Sequence, residues 1–196
     1  GGGGGMADLA AVLEESAAAG APLLMMVVSP AICGSIINRC GTPEQKERWL
    51  PGIADRTHLM AFGITEADAG SNSHNITTTA TQDGDHYVLA GQKTYISGVD
   101  EAQSVLVVAR MKDASTGKLR PALFVVPTDA PGFSKQVIPM AWQAPEKQFT
   151  LHFDDMRLPA SALVGEEGQG FHQVFHGLNP ERITGAAVCV GVARHV

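Results

Sequence analysis

The chain has 196 residues, of which 44% are hydrophobic and 17% charged, a composition typical of a globular protein with a buried core. Its formal net charge of −6 disfavours nucleic acid as a partner, because phosphate binding requires a basic surface. No apolar run reaches the roughly 18 residues that a membrane span needs, and Gly1–Gly5 does not resemble a secretory signal.

The cysteines show neither metal-ligand nor redox-motif spacing: they are Cys33, Cys40 and Cys189. An odd number of cysteines favours reduced thiols in a cytoplasmic-type compartment. The chain opens on Gly1 instead of Met and ends at Val196 inside a helical pattern, so we interpret it as a segment of a longer protein.

The first part of the chain has helical patterns. Apolar residues recur at helical spacing over Met6 to Ala19 and predict a helix there. Leu23 to Asn38 is apolar on most sides, which predicts a buried helix with a kink or a restart at Ser29-Pro30. The residues Thr42-Pro43-Glu44-Gln45 can form a capping box, so a short helix is expected over Glu44 to Leu50, followed by up to one more turn.

From His58 onward the pattern changes to short strands separated by turns. Strands are predicted over His58 to Ile64 and Asn75 to Gln82, and Asp83-Gly84-Asp85 predicts a hairpin turn. The same signals predict further strands at 86–90, 93–97, 105–111, 122–126, 133–138 and 147–153. About eight strands at this spacing predict an antiparallel barrel or two packed sheets.

Helical spacing returns at Phe171 to Leu178, and Asn179-Pro180-Glu181 suggests a second helix start. The predicted fold class is therefore α+β, with N-terminal helices, a central antiparallel β-barrel or sandwich-like domain, and the start of a C-terminal helical bundle. We expect domain limits at 1–57, 58–165 and 166–196.

The stretch from Ala61 to Asn72 combines residue types that suit a large planar ligand. It leaves a strand and enters a loop of small, polar and acidic residues. Thr65 and Ser71 offer hydroxyls, Gly70 permits close approach of a backbone, and Phe62 supplies an aromatic face. By itself this loop predicts a binding site and does not identify the ligand.

Five motifs together resemble those of the acyl-CoA dehydrogenase family. They are T-E-A-D-A-G-S at 65–71, G-Q-K-T-Y-I-S at 91–97, F-D-D-M-R-L-P at 153–159, G-E-E-G-Q-G-F at 165–171 and L-N-P-E-R-I at 178–183. They occur in the family's order, and G-T-P-E-Q-K-E-R-W-L-P at 41–51 extends the resemblance over nearly the whole chain. The family fold, a helical domain, a middle β domain and a C-terminal helical bundle, agrees with the predicted class.

The resemblance implies an FAD-dependent enzyme that oxidises an acyl-CoA thioester to the trans-2-enoyl-CoA, as in fatty-acid or branched-acyl catabolism. A base removes the proton next to the thioester carbonyl, and the flavin takes a hydride from the following carbon. The resemblance also implies an electron-transfer flavoprotein as electron acceptor and a homo-oligomer, either a dimer or a tetramer. The expected compartment is the cytoplasm of a bacterium or the mitochondrial matrix of a eukaryote.

By resemblance, two segments contact the flavin. Thr65 would hydrogen-bond the polar edge of the ring, and Ser71 would contact both the cofactor and the CoA arm. Tyr95 stands where the family usually has Trp and still offers a flat face, while Ser97 stands where many relatives have Thr. The full set of expected cofactor contacts is Phe62, Ile64, Thr65, Gly70, Ser71, Tyr95, Ile96 and Ser97.

Asn179 and Arg182, together with Ser71, are expected to meet the polar arm of CoA, with Arg182 as the cation for its adenosine or phosphate end. In one branch of the family the catalytic carboxylate directly precedes that Arg, whereas in the majority it lies far downstream, beyond Val196. Glu181 is therefore a candidate catalytic base. The alternative is a Glu in the first turn of a helix, facing solvent and favoured by the helix dipole.

Two other functions remain open at this stage. The same flavin cradle would also serve a related flavin oxidase, such as an acyl-CoA or nitroalkane oxidase, which returns electrons to oxygen. The chain would alternatively be a non-catalytic flavin- or CoA-binding module, or an inert fragment that retains flavin weakly. Acyl chain length and branching are not predicted.

No metal site is predicted, because His172 and His176 are spaced i, i+4 but lack a third ligand at a matching position. Trp49 and Trp142 are expected to be packing residues. The carboxylates of Asp154-Asp155 and Glu166-Glu167 are expected to face solvent.

Overall fold

The computed structural model describes residues 3–113, 116–141, 145–166 and 169–196, so Trp142 and Glu167 lie outside the described residues. The helices are α1 (Met6–Ala18), α2 (Leu24–Met26), α3 (Ser35–Cys40), α4 (Pro43–Asp55) and α5 (Gly170–His195), with a π-helical segment (Val27–Gly34) between α2 and α3. The strands are β1 (Met60–Gly63), β2 (Thr79–Asp83), β3 (His86–Ser97), β4 (Ser104–Lys112), β5 (Leu119–Pro127), β6 (Phe133–Ile138), β7 (Gln148–Pro159) and β8 (Leu163–Val164).

The buried segment from Leu24 to Cys40 is helical throughout and does not restart at Pro30. Proline has no N–H, and its ring clashes with the carbonyl four residues earlier in an α-helix. The chain avoids both problems by widening into the π-helical segment, which contains Pro30. Of the two predicted alternatives, a kink or a restart, the restart is therefore wrong, and the segment continues as one helix whose buried side chains pack in the cluster shared with the sheet.

Helix α4 begins where its capping residues predict. Thr42 Oγ1 accepts a hydrogen bond from Gln45 N at 3.3 Å, and Gln45 Oε1 accepts one from Thr42 N at 3.1 Å. Gln45 Nε2 also donates to the carbonyls of Ser161 and Leu163, at 2.9 and 2.8 Å. Gln45 thus also connects helix α4 to the segment at the start of β8. The helix continues through Pro51 to Asp55 as one element.

The eight strands that the described residues form make one sheet in the order β6-β7-β3-β2-β4-β5-β8, with β1 paired to β4. Most neighbours are antiparallel, as predicted, but β4 runs parallel to both β1 and β2. The segments 86–90 and 93–97, predicted as two strands, are one strand, β3. Strand β2 is shorter than predicted, because Ser73–Asn75 forms a 3₁₀ turn before it.

Strand β4 is buried on both faces and separates two hydrophobic clusters. Val105 and Val107 belong to a cluster made within the β domain, and Leu106 and Val108 to a cluster shared with the helices. Side chains of a strand alternate between its faces, so a continuous apolar run is what two buried faces require. The predicted α+β class, helices around a central sheet, is confirmed.

Helix α5 crosses the helical side of the molecule without interruption. The predicted second start at Asn179-Pro180 is wrong, because Pro180 lies inside the helix. A Cβ at Gly177 would meet Ile36 Cδ1 at 2.7 Å and Ile32 Cγ2 at 2.8 Å, so the missing side chain is what lets α5 approach the π-helical segment. None of the helices in the described ranges has both the length and the apolar character that crossing a bilayer requires.

Candidate functional site

A cleft of about 160 Å³ lies where the ends of β1 and β3 meet the helical layer. The helices contribute apolar side chains to it and one carboxylate, that of Glu181. The sheet side consists of six of the residues expected to contact a cofactor, namely Phe62, Ile64, Thr65, Tyr95, Ile96 and Ser97. The structure therefore brings together two segments that are about thirty residues apart in the sequence.

Glu66 anchors the loop that follows β1. Its Oε2 accepts hydrogen bonds from Thr77 N at 2.6 Å and Thr77 Oγ1 at 2.7 Å. Its Oε1 accepts from Thr78 N at 3.0 Å, Thr78 Oγ1 at 2.7 Å and Lys93 Nζ at 2.8 Å. Burial alone would raise the pKa of Glu66, but these hydrogen bonds, that of Lys93 first, outweigh it and lower the pKa to about 2.

Lys93 is the partner of Glu66 and is fully buried on β3, while Glu66 is 8% exposed. Burial lowers the pKa of Lys93 to about 8 against the opposing effect of Glu66, so the lysine is charged at neutral pH. Lys93 Nζ also donates to the Ile64 carbonyl at 3.1 Å, and Thr94 N donates to the Thr65 carbonyl at 2.9 Å. Strand β3 thereby holds two consecutive carbonyls of the loop.

The sequence analysis did not identify Glu66 or Lys93 as site residues, although a signal was present. Strand residues at alternate positions share a face, and Lys93 continues the inward row that Tyr87 and Leu89 begin. A charged residue in a buried row requires an opposite charge from another segment.

Tyr95 is placed by an irregularity in β3. The pairing of β3 with β7 shifts between Lys93 and Ile96, and Tyr95 has φ 57°, a value uncommon for residues other than glycine. Its side chain is 62% exposed, while the next residue, Ile96, is buried. Tyr95 is therefore not a core residue, and it lines the cleft.

Two hydroxyls of the cleft differ in their partners. Ser97 Oγ donates to Gln148 Oε1 at 3.0 Å. Within the described ranges, the Thr65 hydroxyl has no hydrogen bond to a protein group. The turn after Thr65 is closed instead by the backbones of Glu66 and Ala69, with two hydrogen bonds of 3.1 Å, so Thr65 does not serve to stabilise it.

Glu181 lies in the middle of α5 and lines the cleft. The alternative of a solvated Glu in a first helical turn is wrong, because the helix begins at Gly170 and continues through Pro180. Burial raises the pKa of Glu181, and the neighbouring Arg182 opposes this only in part. A carboxylate with a raised pKa is a stronger base than a solvated one, which suits proton abstraction.

The other expected ligand contacts lie outside the cleft. Gly70 and Ser71 are exposed on the loop, and a Cβ at Gly70 would meet no atom within 4 Å. Asn179 and Arg182 lie on the exposed face of α5, where Arg182 Nη1 donates to Asn179 Oδ1 at 2.8 Å. The Arg182 guanidinium also lies 5.7 Å from the centre of the Phe175 ring.

Residues expected to have no part in the chemistry are placed as follows. Trp49 is 5% exposed and packs in the cluster shared by helices and sheet, which confirms it as a packing residue. Asp154, Asp155 and Glu166 face solvent, as predicted. The rings of His172 and His176 are 5.1 Å apart, and in the described part of the chain no three potential ligands converge around a metal position.

The groups around the cleft fit a planar ring with acceptors along one edge. The carbonyl of Ile64 points at Lys93, so in the same trans peptide the N–H of Thr65 points the opposite way. Among the described residues this N–H has no acceptor. An isoalloxazine ring supplies carbonyl and ring-nitrogen acceptors for such donors and a flat face for Tyr95.

The solved structures that share this architecture include dehydrogenases that act on acyl-CoA substrates. Butyryl-CoA dehydrogenase from Megasphaera elsdenii superimposes with a TM-score of 0.85 and 29% identity, over 97% of this chain and 49% of that one. A glutaryl-CoA dehydrogenase from Mycobacterium smegmatis, solved in complex with FADH2, superimposes with a TM-score of 0.83 and 31% identity, over 93% of this chain and 46% of that one.

The sequence gives the same result at the level of the family. Residues 1–57 match the N-terminal domain of acyl-CoA dehydrogenases, and residues 61–156 match their middle domain. Acyl-CoA dehydrogenase FadE12 of Mycobacterium tuberculosis is 63% identical over 99% of this chain and 50% of its own length. The chain belongs to the acyl-CoA dehydrogenase family, whose reaction is FAD-dependent dehydrogenation of a CH–CH group. It spans about half the length of these relatives.

Proposed function

We propose that the protein carrying this chain is an FAD-dependent acyl-CoA dehydrogenase that converts an acyl-CoA thioester to the trans-2-enoyl-CoA. The observation that carries the proposal is the cleft, in which six expected flavin contacts face one half-buried carboxylate, Glu181. The family membership supports it, as does the similarity to a glutaryl-CoA dehydrogenase solved with FADH2.

The sheet side of the cleft binds and orients the flavin, which when bound supplies a hydride acceptor. Thr65, through its N–H and hydroxyl, would donate to the polar edge of the ring, and Tyr95 would offer it a flat face; both residues line the cleft. The apolar helical side chains Leu24, Val28 and Ile32 exclude water from the opposite wall. In a dry cleft, fixed donors act on a developing charge more strongly than they would in water.

Glu181 removes the proton from the carbon next to the thioester carbonyl. An unactivated hydrogen at this position is a weak acid, so the reaction needs a positioned base and stabilisation of the enolate. Burial of Glu181 raises its pKa and therefore its basicity. Its place on α5 sets it across the cleft from Thr65 and Tyr95.

The remaining assignments belong to the same proposal. The domain limits are 1–57, 58–165 and 166–196, which the family matches at 1–57 and 61–156 support. Gly70 would approach the cofactor, Ser71 would contact both the cofactor and the polar arm of CoA, and Asn179 and Arg182 would contact the same arm; all four residues are exposed. The enzyme passes electrons to an electron-transfer flavoprotein and assembles as a homo-oligomer in a cytoplasmic or matrix compartment.

Glu181→Gln in the full-length protein tests the assignment of the base. We expect turnover to fall by about 10³-fold with bound flavin intact, because a positioned general base contributes roughly 10²–10⁴-fold. Acyl-CoA-dependent bleaching of the flavin absorbance near 450 nm measures the reductive step directly. Glu47→Gln, an exposed glutamate on α4, is the matched control and leaves the rate unchanged.

Three results would contradict the proposal or parts of it. Near-normal flavin reduction by the Glu181→Gln variant would place the base elsewhere in the protein. Stoichiometric peroxide formation with acyl-CoA, without reduction of an electron-transfer flavoprotein, would identify a flavin oxidase instead of a dehydrogenase. A wild-type protein that binds neither flavin nor acyl-CoA would exclude both enzymes.

A further inference from the structure

We propose that the buried Glu66–Lys93 ion pair is a positioning element of the flavin site, because it orients the Ile64–Thr65 peptide so that the Thr65 N–H faces the cleft. The inference rests on the proposed function, since it concerns how the same site binds its cofactor. Neither residue touches the cleft, so both act through the backbone that Lys93 holds.

The ion pair connects the Thr77–Thr78 segment, which holds Glu66, to the Ile64 carbonyl, which Lys93 holds. Glu66 is held by both the N–H and the hydroxyl of Thr77 and of Thr78. This fixes its carboxylate independently of Lys93. Lys93 Nζ then bridges the carboxylate at 2.8 Å and the Ile64 carbonyl at 3.1 Å. The position of the carbonyl is thus set by a rigid chain of charge-assisted hydrogen bonds.

The direction of the Ile64 carbonyl also determines the direction of the Thr65 N–H in the same peptide. A trans peptide is planar, and its C=O and N–H point in opposite directions. Fixing the Ile64 carbonyl toward Lys93 therefore fixes the Thr65 N–H in the opposite direction, and Thr65 lines the cleft whereas Lys93 does not. The Thr94 N–H bond to the Thr65 carbonyl, at 2.9 Å, prevents the following peptide from turning.

Stability alone does not explain why a charged pair is buried between the loop and β3. Removing two charges from water is costly, and apolar residues of similar volume often give equal or higher stability. The pair has 0% and 8% exposure, so it bears this cost. An apolar pair would leave the Ile64 carbonyl without its donor, and the loop would lose a fixed orientation that binding and catalysis require.

The pair also reaches the second wall segment. Lys93 precedes the bulge that turns Tyr95 outward, and Glu66 follows Thr65 directly. One ion pair therefore joins the loop after β1 to the irregular part of β3. Both segments that line the sheet side of the cleft are fixed relative to each other by this contact.

The test separates positioning from folding in the full-length protein. Lys93→Met alone leaves a buried carboxylate without its cation, whereas the double variant Glu66→Gln/Lys93→Met carries no charge at either site. The midpoint of thermal unfolding of the apoprotein and the Kd for FAD, from quenching of flavin fluorescence, are measured for each. We expect the double variant to recover part of the apoprotein stability that Lys93→Met loses, because a glutamine amide nitrogen cannot accept from the Thr77 or Thr78 N–H, while its Kd for FAD stays about tenfold weaker than wild type.

Amide hydrogen exchange gives a readout that does not depend on flavin. In the double variant we expect faster exchange at Thr94, whose N–H bonds to the loop, and unchanged exchange in β4. The surface pair Asp83–Arg157, which joins β2 to β7 at 3.0 Å, supplies the control. Asp83→Asn/Arg157→Met keeps wild-type FAD affinity and wild-type exchange at Thr94.

Each result decides the question. If the Kd of the double variant returns to the wild-type value together with its stability, the pair only supports the fold and the proposal is wrong. If the double variant does not fold while its surface control does, the pair is a folding element and the proposal is equally wrong. A wild-type protein that binds no FAD would instead refute the proposed function, a result that leaves the Thr94 exchange comparison unaffected.

Discussion

The two walls of the cleft are fixed by different kinds of interaction. On the sheet wall, the loop after β1 and the bulge of β3 are joined by a buried ion pair whose carboxylate accepts five hydrogen bonds. On the helix wall, Glu181 is carried by α5, which is seated by close packing of Gly177 against Ile32 and Ile36.

This difference has a consequence for function. Charge-assisted hydrogen bonds are directional and therefore fix the orientation of the groups they join, whereas close apolar packing acts through shape and separation. We therefore expect perturbations of the sheet wall to change cofactor affinity, and perturbations of the helix wall to change the position of Glu181 and hence the rate. Variants that separate these two effects test the comparison.

Gly177→Val is expected to have the largest effect. Its Cβ would meet Ile36 Cδ1 at 2.7 Å and Ile32 Cγ2 at 2.8 Å, and overpacking of this kind costs about 3 kcal/mol. Urea unfolding of the apoprotein measures the loss of stability. Because the clash displaces α5, and Glu181 with it, the rate of flavin reduction by acyl-CoA should fall by a larger factor than the affinity for FAD.

The control for this variant lies in the same helix. A Cβ at Gly185 would meet no atom within 4 Å, so Gly185→Val adds the same side chain without a clash. It is expected to change the free energy of unfolding by less than about 0.5 kcal/mol. Equal losses in the two variants would show that α5 does not depend on the close approach at Gly177.

Thr78→Val perturbs the sheet wall and is expected to have an intermediate effect. The Thr78 hydroxyl has a single proton, which it donates to the nearer acceptor, Glu66 Oε1 at 2.7 Å, while the carbonyl of Gln92 lies 3.1 Å away. Removing the hydroxyl from a fully buried site should cost about 1.5 kcal/mol, typical for a hydrogen bond to a charged group. The affinity for FAD should fall by a larger factor than the rate at which the bound flavin is reduced.

An exposed threonine on the strand that follows Thr78 provides the comparison. Thr81→Val, on β2, should leave both stability and FAD affinity at wild-type values. If Thr78→Val lowers the reduction rate while FAD affinity is unchanged, the assignment of affinity to the sheet wall and rate to the helix wall would be reversed.

The sequence predicted the fold class because its strongest signals are local. Capping at Thr42, the hairpin at Asp83-Gly84-Asp85 and alternation along the strands each depend on neighbouring residues. The errors at Pro30 and Pro180 have one cause. Proline disfavours a helix locally, but burial of the surrounding apolar residues favours continuing it, and tertiary packing prevailed.

The site was predicted in part for a similar reason. The motifs identified the residues that line the cleft, because those residues are the ones the family resemblance names. The support behind them depends on contacts distant in the sequence, such as Lys93 with Glu66, and no local pattern specifies which segments meet. The bulge that exposes Tyr95 likewise depends on pairing with β7, more than fifty residues later.

Arg182→Gln is expected to have the smallest effect on stability and gives the sharpest test outside the cleft. The Arg182–Asn179 hydrogen bond of 2.8 Å and the contact with Phe175 lie on the exposed face of α5. Exposed interactions of this type contribute about 0.5 kcal/mol or less. The proposed contact with the CoA arm predicts a larger change in KM for acyl-CoA, on the order of tenfold, with little change in kcat.

The control for Arg182→Gln is Arg157→Gln, which removes an exposed arginine paired with Asp83 on the sheet. Both variants remove one positive charge, so a general electrostatic effect on an anionic substrate would raise KM equally in both. A direct contact with a CoA phosphate predicts that KM for acyl-CoA rises more in Arg182→Gln than in Arg157→Gln. The difference between the two variants should diminish as salt is added. Equal increases would mean that Arg182, on the exposed face of α5, does not bind the CoA arm.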